Sequence, residues 1–307
     1  MNPAYSVILF TTASGAGYGM LALLGLVGFN HGPVSSFAFG LVAIFAALGL
    51  ITIGLLSSTF HLGHPERAWR ALSQWRSSWL SREGVASVAT YIPAILFGAT
   101  WTDVIHAPTL IGPLGLITAG MCVITVFCTA KIYSTLKTIR AWNHPLVVPV
   151  YLAFALASGG ALMTAIATIF GRFQIFQVIL TVVALLWLIG LKFFYWRSID
   201  NAERTRTMAA ATGLGSGVRQ WEVPHTSENY IMKEMGFAVA RRHALKLRNA
   251  VFIFLFITLL ALAACLITPW FSFVAAPAIL LAAVLERWLF FAEAQHVVSL
   301  FYGAEKA

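Results

Sequence analysis

Eight long apolar stretches, separated by shorter polar connections, run through the chain at about residues 6–29, 36–60, 84–102, 109–131, 147–170, 174–195, 249–268 and 271–292. Crossing a hydrocarbon layer of roughly 30 Å takes about 20 mostly apolar helical residues, and each stretch is near that length. The pattern predicts an all-α integral membrane fold: a single polytopic domain over 1–307, built as a bundle of eight transmembrane helices.

Two connections carry their own periodicity. Residues 66–80 (ERAWRALSQWRSSWL) place Ala68, Trp69, Leu72, Trp75, Trp79 and Leu80 on one side of a 3.6-residue wheel, with Arg67, Arg70, Gln74 and Ser77 opposite. That amphipathic division predicts an interfacial helix at the headgroups. The longest connection opens with TGLGSG and continues as HTSENYIMKEMGFAVARRHALKLR, where Ser227 is placed to cap a helix carrying Tyr230, Ile231 and Met235. A connection of that length with its own helix predicts a partner platform.

Within the first stretch, the Gly15-to-Gly19 step predicts close approach of a neighbouring helix. Trp101, Trp187, Trp196, Trp270 and Trp288 fall towards stretch ends, where tryptophan anchors a helix at the interface.

Composition agrees with the pattern: 59% of residues are hydrophobic, 10% are charged and the mean hydropathy is +0.82, which excludes a water-soluble fold. The formal charge of +9 reads as a topology signal, so nucleic acid is set aside as a partner. Residues 1–29 have no basic leader region and read as a retained first helix. Cys122, Cys128 and Cys265 lie inside apolar stretches without a CxxC spacing, so they read as packing residues and the chain is expected to hold no iron–sulfur cluster of its own.

With eight spans, both termini share a face with the connections after the second, fourth and sixth helices. Nineteen of the 20 lysines and arginines fall on that face, leaving Arg172 alone on the other. The positive-inside rule makes the basic face cytoplasmic, in a bacterial inner membrane. No charge is expected near the centre of a span, which argues against an ion-coupled transporter or proton pump. His61, His106, His144 and His296 sit at span ends and His31, His64, His225 and His243 in connections, an arrangement that predicts no haem.

The densest polar cluster at a membrane boundary runs from SSTFHLGHPERAW to SWLSREGV, ending the second stretch at His61 and opening the third at Glu83. A quinone site needs apolar walls, hydrogen-bond partners for the carbonyl oxygens and a wet proton route. His61 suits donation and acceptance near neutral pH, Glu83 suits proton relay, and Arg67 suits holding the carboxylate or developing negative charge. His64, Trp69 and Arg82 are candidate contributors. The same residues also fit a plain reading: His61 complements a helix C-terminus, Glu83 follows Ser81 in a first turn where acids favour the dipole, and Arg67 is a topology signal.

The segments NPAYSVILFTTASGAGYG, SSTFHLGHPERAW, SREGV, CTAKIYSTLKTIRAW, FYWRSID and EVPHTSENYIMKEMGFAVARRHA resemble, in order, the DmsC family, the membrane anchors of dimethyl sulfoxide reductase-type molybdoenzymes. The resemblance implies an eight-helix, haem-free anchor that exchanges electrons between a quinone (ubiquinone or menaquinone) and a ferredoxin-like iron–sulfur subunit, which serves a molybdopterin catalytic subunit. Both partners would dock on the basic face. The family's quinol-site histidine in its HLG motif falls on His61, its arginine six residues on falls on Arg67, and its acidic residue opening the third helix falls on Glu83. His64 departs from the small residue usual at its place. A cytoplasmic basic face favours the sulfite dehydrogenase branch, in which sulfite oxidation reduces quinone, over a dimethyl sulfoxide or related reductase driven by quinol. Two further alternatives are a structural anchor without a quinone site of its own and a transporter of a neutral solute.

Overall fold

The computed structural model describes residues 4–34, 36–60, 62, 64–202, 206–215, 218, 221–222 and 239–302, apart from the side chains of 239–242. His61, His225 and the expected helix around Ser227, Tyr230, Ile231 and Met235 lie outside the described residues.

Eight helices long and apolar enough to cross a membrane are present among the described residues: α1 Tyr5–His31, α2 Phe37–Thr59, α3 Trp79–Trp101, α4 Pro108–Ser134, α5 Val147–Ile169, α6 Ile175–Asn201, α7 Val239–Ala264 and α8 Pro269–Ala292. Helices answer the demand that every backbone polar group be bonded internally where no water reaches it. The chain is an all-α, multi-pass membrane protein.

Local signals set the helix ends. Ser36 caps α2 by accepting from Phe39 N at 3.4 Å, and Pro108 and Pro269 occupy first positions, where a missing N–H costs nothing. α3 starts five residues earlier than expected. Its cap is Ser78, whose side chain accepts from Ser81 N at 3.5 Å, so Glu83 stands beyond the first turn and the helix-dipole reading of it does not hold. α6 runs six residues further than expected, to Asn201, which leaves Lys192 nine residues short of its end.

α1 and α5 form the centre of the bundle, with 67% and 72% of their apolar windows buried against 28% for α7. Gly19 and Gly159 bring them together: a Cβ at Gly19 would overlap the Ala155 carbonyl, and one at Gly159 would overlap the backbone at Gly19 and Met20. Gly15, expected to share this role, faces open space instead.

One end of the bundle is tied together by the connections themselves. Ser57 Oγ donates to Ser6 O at 3.1 Å, linking the end of α2 to the start of α1. Val297 N donates to Thr138 O at 3.2 Å, Arg140 Nη1 to Ala202 O at 3.4 Å, and Arg206 to Lys137 O. These bonds set the start of α1 beside the end of α2, and the described ends of α4, α6 and α8 beside one another, at the end of the bundle called here the basic face.

Trp101 and Trp196 depart from the interface-anchor expectation. Trp101 is buried, stacks on Phe97 and donates to Gly32 O at 3.1 Å, while Trp196 is buried beneath Lys192 at 4.0 Å. Trp187 is exposed midway along α6, and only Trp270 combines exposure with a helix end as expected. All three cysteines are buried.

Candidate functional site

Between α2 and α3 the expected interfacial helix is present as a 3-10 helix, Pro65–Gln74, followed by a turn into α3. Proline at its start and three-residue closure replace the expected α-helical register. It is held to α3 by three contacts. Leu72 packs where a Cβ on Gly84 would stand, Ser81 Oγ donates to Ala71 O, and Arg82 donates to the carbonyls of Trp75 at 3.0 Å and Arg76 at 2.7 Å. Arg82 also lies 4.4 Å over the Trp79 ring. Trp69 and Trp75 remain exposed, as suits a segment resting at headgroup level.

The predicted site residues divide. Arg67 and His64 are exposed and share the carboxylate of Glu66, at 3.6 and 3.0 Å. Glu83 faces the other way, into the bundle. It is 4% exposed and accepts a hydrogen bond from Thr129 Oγ1 of α4 at 2.9 Å. Arg67 and Glu83 are thus not joined in this structure, and the position of His61 relative to either lies outside the described residues.

Glu83 heads a row of polar side chains on the inward face of α3, at the spacing that aligns residues along one helical stripe. Ser87 and Thr90 follow it, and Thr90 Oγ1 meets Thr125 Oγ1 of α4 at 3.2 Å. Beyond them, on the lipid side, α2 and α3 separate around a cavity of about 690 Å3. Its walls are almost wholly aliphatic, with one polar point where Thr52 Oγ1 meets Tyr91 OH at 2.7 Å. That volume is within the range of roughly 300–1,000 Å3 usual for small-molecule sites.

Among the described residues, four charged ones are buried inside spans: Glu83, Lys192, Glu286 and Arg287. The expectation was of no charge near the centre of a span; these four lie off-centre in their helices yet are buried within the bundle. Lys192 Nζ donates to Glu286 Oε1 at 2.7 Å, and Arg287 Nε stands in ion-pair contact 2.8 Å from Glu286 Oε2. Aromatic faces cover both cations, with Arg287 Cζ 3.6 Å over Tyr151 and Lys192 Nζ 4.3 Å over Tyr195. The signal for Glu286 and Arg287 was present, since five apolar residues follow them before α8 ends at Ala292. Lys192 had a similar signal in the aromatic run Phe193–Trp196. Thr129 had none.

At the rim, Arg248 bridges Glu293 Oε1 at 2.9 Å and Asp200 Oδ2 at 2.7 Å. Burial pushes the Glu293 carboxyl up despite that arginine. His31 closes α1 and His243 lies within α7, both assigned to connections from the sequence, and His106 pairs with Asp103 at 2.7 Å. His144 Nε2 meets Ser198 Oγ at 3.0 Å, and its Nδ1 accepts from Leu146 N at 3.2 Å.

Comparison with known proteins places the chain as a whole. Residues 1–304 match the family described as DMSO reductase anchor subunit (DmsC). The chain is also 30% identical to a sulfite dehydrogenase subunit of Allochromatium vinosum, over 98% of this chain and 99% of that one.

Proposed function

From the premise that the chain belongs to the DmsC family, and is a membrane anchor subunit of a molybdoenzyme complex, we propose that it also exchanges electrons and protons with quinone at the α2–α3 end of the basic face. The observation that carries this reading is Glu83: a carboxylate inside a membrane span, held by a single hydroxyl, directly behind the loop that presents His64 and Arg67. Buried ionisable groups in membranes are costly, and they usually mark a path for ions or protons.

Each group then has a task. The apolar cavity between α2 and α3 admits an isoprenoid tail from the bilayer. The quinone ring sits nearer the basic face, between the end of α2 and the start of α3, where His61 hydrogen-bonds one carbonyl oxygen. Arg67 stabilises the negative charge that develops as electrons arrive, and Glu83 exchanges protons with the ring oxygens. Trp69 and Arg82 keep the loop seated, the latter through its bonds to the Trp75 and Arg76 carbonyls. Ubiquinone and menaquinone both fit this chemistry.

The electrons pass to or from an iron–sulfur subunit docked on the basic face, which connects to a molybdopterin subunit; clusters and molybdopterin belong to those partners. With nineteen of 20 basic residues at one end, the positive-inside rule makes that end cytoplasmic. Two of the nineteen, Lys192 and Arg287, lie within the bundle near the same end. Cytoplasmic partners and the likeness to the Allochromatium vinosum protein, a sulfite dehydrogenase subunit, favour electron flow from sulfite to quinone.

The test is quinone-dependent turnover of the purified complex. Glu83→Gln is expected to lower it at least tenfold while the partner subunits remain bound. Unchanged turnover in both Glu83→Gln and His61→Ala would remove the quinone site from this chain and leave it an anchor.

A further inference from the structure

A cavity of about 20 Å3 is lined by residues of α1, α4, α5 and α8, Thr129 among them. Thr11, Thr12 and Ser14 line it from a π-helical turn of α1, Phe10–Ser14, whose three hydroxyls all donate back to carbonyls of their own helix. Their lone pairs are left as acceptors. Thr129 also lines the cavity, and its hydroxyl lies within donating distance of Glu83 Oε1 at 2.9 Å and of Thr125 O at 3.1 Å. Tyr18, Tyr151 and Arg287 complete the polar lining.

These last three carry unpartnered polar atoms. Nη1 and Nη2 of Arg287, the Tyr18 hydroxyl and the Tyr151 hydroxyl are buried without hydrogen-bond partners among the described residues. Arg287 is 3% exposed, and its Nε is its contact with Glu286. Leaving several buried donors unmet around one void is costly. About 10–15 Å3 suffices to seat one water, provided two to four polar partners surround it. The cavity satisfies both conditions, with guanidinium donors on one side and hydroxyl acceptors on the other.

We propose that this cavity holds a resident water hydrogen-bonded to Arg287, and that this water, Thr129 and Glu83 form a proton relay feeding the quinone site from within the bundle. The proposal rests on Glu83 being the proton-exchanging group of that site. In one transfer, the water gives a proton to Thr129 Oγ1 as the Thr129 hydroxyl proton moves to Glu83 Oε1, and the water regains a proton from solvent. Only O–H bonds form and break, and one proton is moved. Arg287 keeps its charge throughout and positions the water. Solvent lies close by: Tyr5, at the start of α1, is 82% exposed and six residues from Thr11, roughly 9 Å at 1.5 Å per residue.

The experiment has two arms, both on the intact complex. A high-resolution electron cryo-microscopy map of the unmodified complex is expected to show water density within hydrogen-bonding distance of an Arg287 Nη; an empty cavity overturns the proposal whatever the variants do. In the second arm, Thr129→Val is expected to cut quinone turnover about tenfold and to raise its solvent deuterium isotope effect, while Thr129→Ser stays within about twofold of the parent. Parental rates and isotope effects in both variants, with Glu83→Gln still inactive, overturn the relay and leave the quinone site standing. A Glu83→Gln variant of parental activity overturns the relay together with the role of Glu83 in the site, and the quinone site itself falls only if His61→Ala is also unchanged.

Discussion

Glu83 and Glu286 are both carboxylates buried within spans near the basic face, yet they are held in opposite ways. Glu286 is clamped between Lys192 at 2.7 Å and Arg287 at 2.8 Å, beneath aromatic rings. Glu83 has one hydroxyl, Thr129, and no cation paired with it among the described residues. A carboxylate with two cationic partners is committed to its charge and serves as a structural tie between α6 and α8. One with a single neutral partner has little to lose by taking a proton. The contrast separates a structural charge from one available for chemistry, although the two residues look alike by burial.

Substituting each carboxylate should break the comparison in different observables. Glu286→Gln leaves Lys192 and Arg287 buried without a counter-charge, and breaking a buried pair this way costs about 3–5 kcal/mol. The expected outcome is a sharp fall in the amount of folded chain, and so of assembled complex, recovered from membranes. Glu83→Gln removes no ion pair. Its yield should match the parent while quinone turnover falls at least tenfold, so yield and turnover together distinguish the two roles.

Lys192→Met sharpens the first half of the contrast. Glu286 still holds Arg287 at 2.8 Å, and the lost bond is expected to cost about 1–3 kcal/mol, visible as a modest drop in thermal stability of the detergent-solubilised complex and well below the Glu286→Gln effect. Arg67→Gln probes the other half. Among the described residues the exposed guanidinium pairs with Glu66 alone, so yield and stability should be unchanged while turnover falls several-fold through loss of charge stabilisation at the ring.

The smallest effect concerns the rim, where held and free groups are distinguished by pH. Burial lowers the pKa of both His144 and His296, with Arg140 and Arg206 adding to the shift. Each imidazole accepts a backbone N–H at Nδ1, from Leu146 and Val298 respectively, which requires that nitrogen to be unprotonated. A lowered folded pKa means that the unfolded chain binds the proton more readily. Their contribution is therefore complete above about pH 6.5, the ordinary histidine value, and is lost as pH falls through the lowered values. The protection of the Val297 and Val298 amides, taken as exchange relative to the intrinsic rate at each pH, should fall as the pH is lowered from neutral to about one unit below that ordinary value. His296→Ala should show the reduced protection already at neutral pH.

Much of the fold was readable because spanning lipid imposes one strong rule on the sequence. The eight stretches emerged from apolar run length, and the family from ordered segments along nearly the whole chain. Errors arose where a short polar signal sits beside apolar residues. Ser81 looked like the cap of α3, but Ser78 takes that place because Trp79 and Leu80 are already helical. The sixth stretch was expected to end near 195, although Trp196 and the residues after it continue the helix to Asn201.

The candidate site was legible as a list of residues and illegible as an arrangement. His61, Arg67 and Glu83 were marked by type and boundary position. That Glu83 turns inward to Thr129 while Arg67 turns outward to Glu66 depends on the rotation of α3 about its axis, which α4 and the Leu72–Gly84 contact decide.

The sequence alone determined the class of molecule, the number of spans and the gathering of basic charge at one end, since these follow from the solvation energies of residues taken along the chain. Only the tertiary structure decided which charges are clamped and which are free. It also formed a polar cavity lined by α1, α4, α5 and α8, because that lining is set by contacts among residues more than a hundred positions apart.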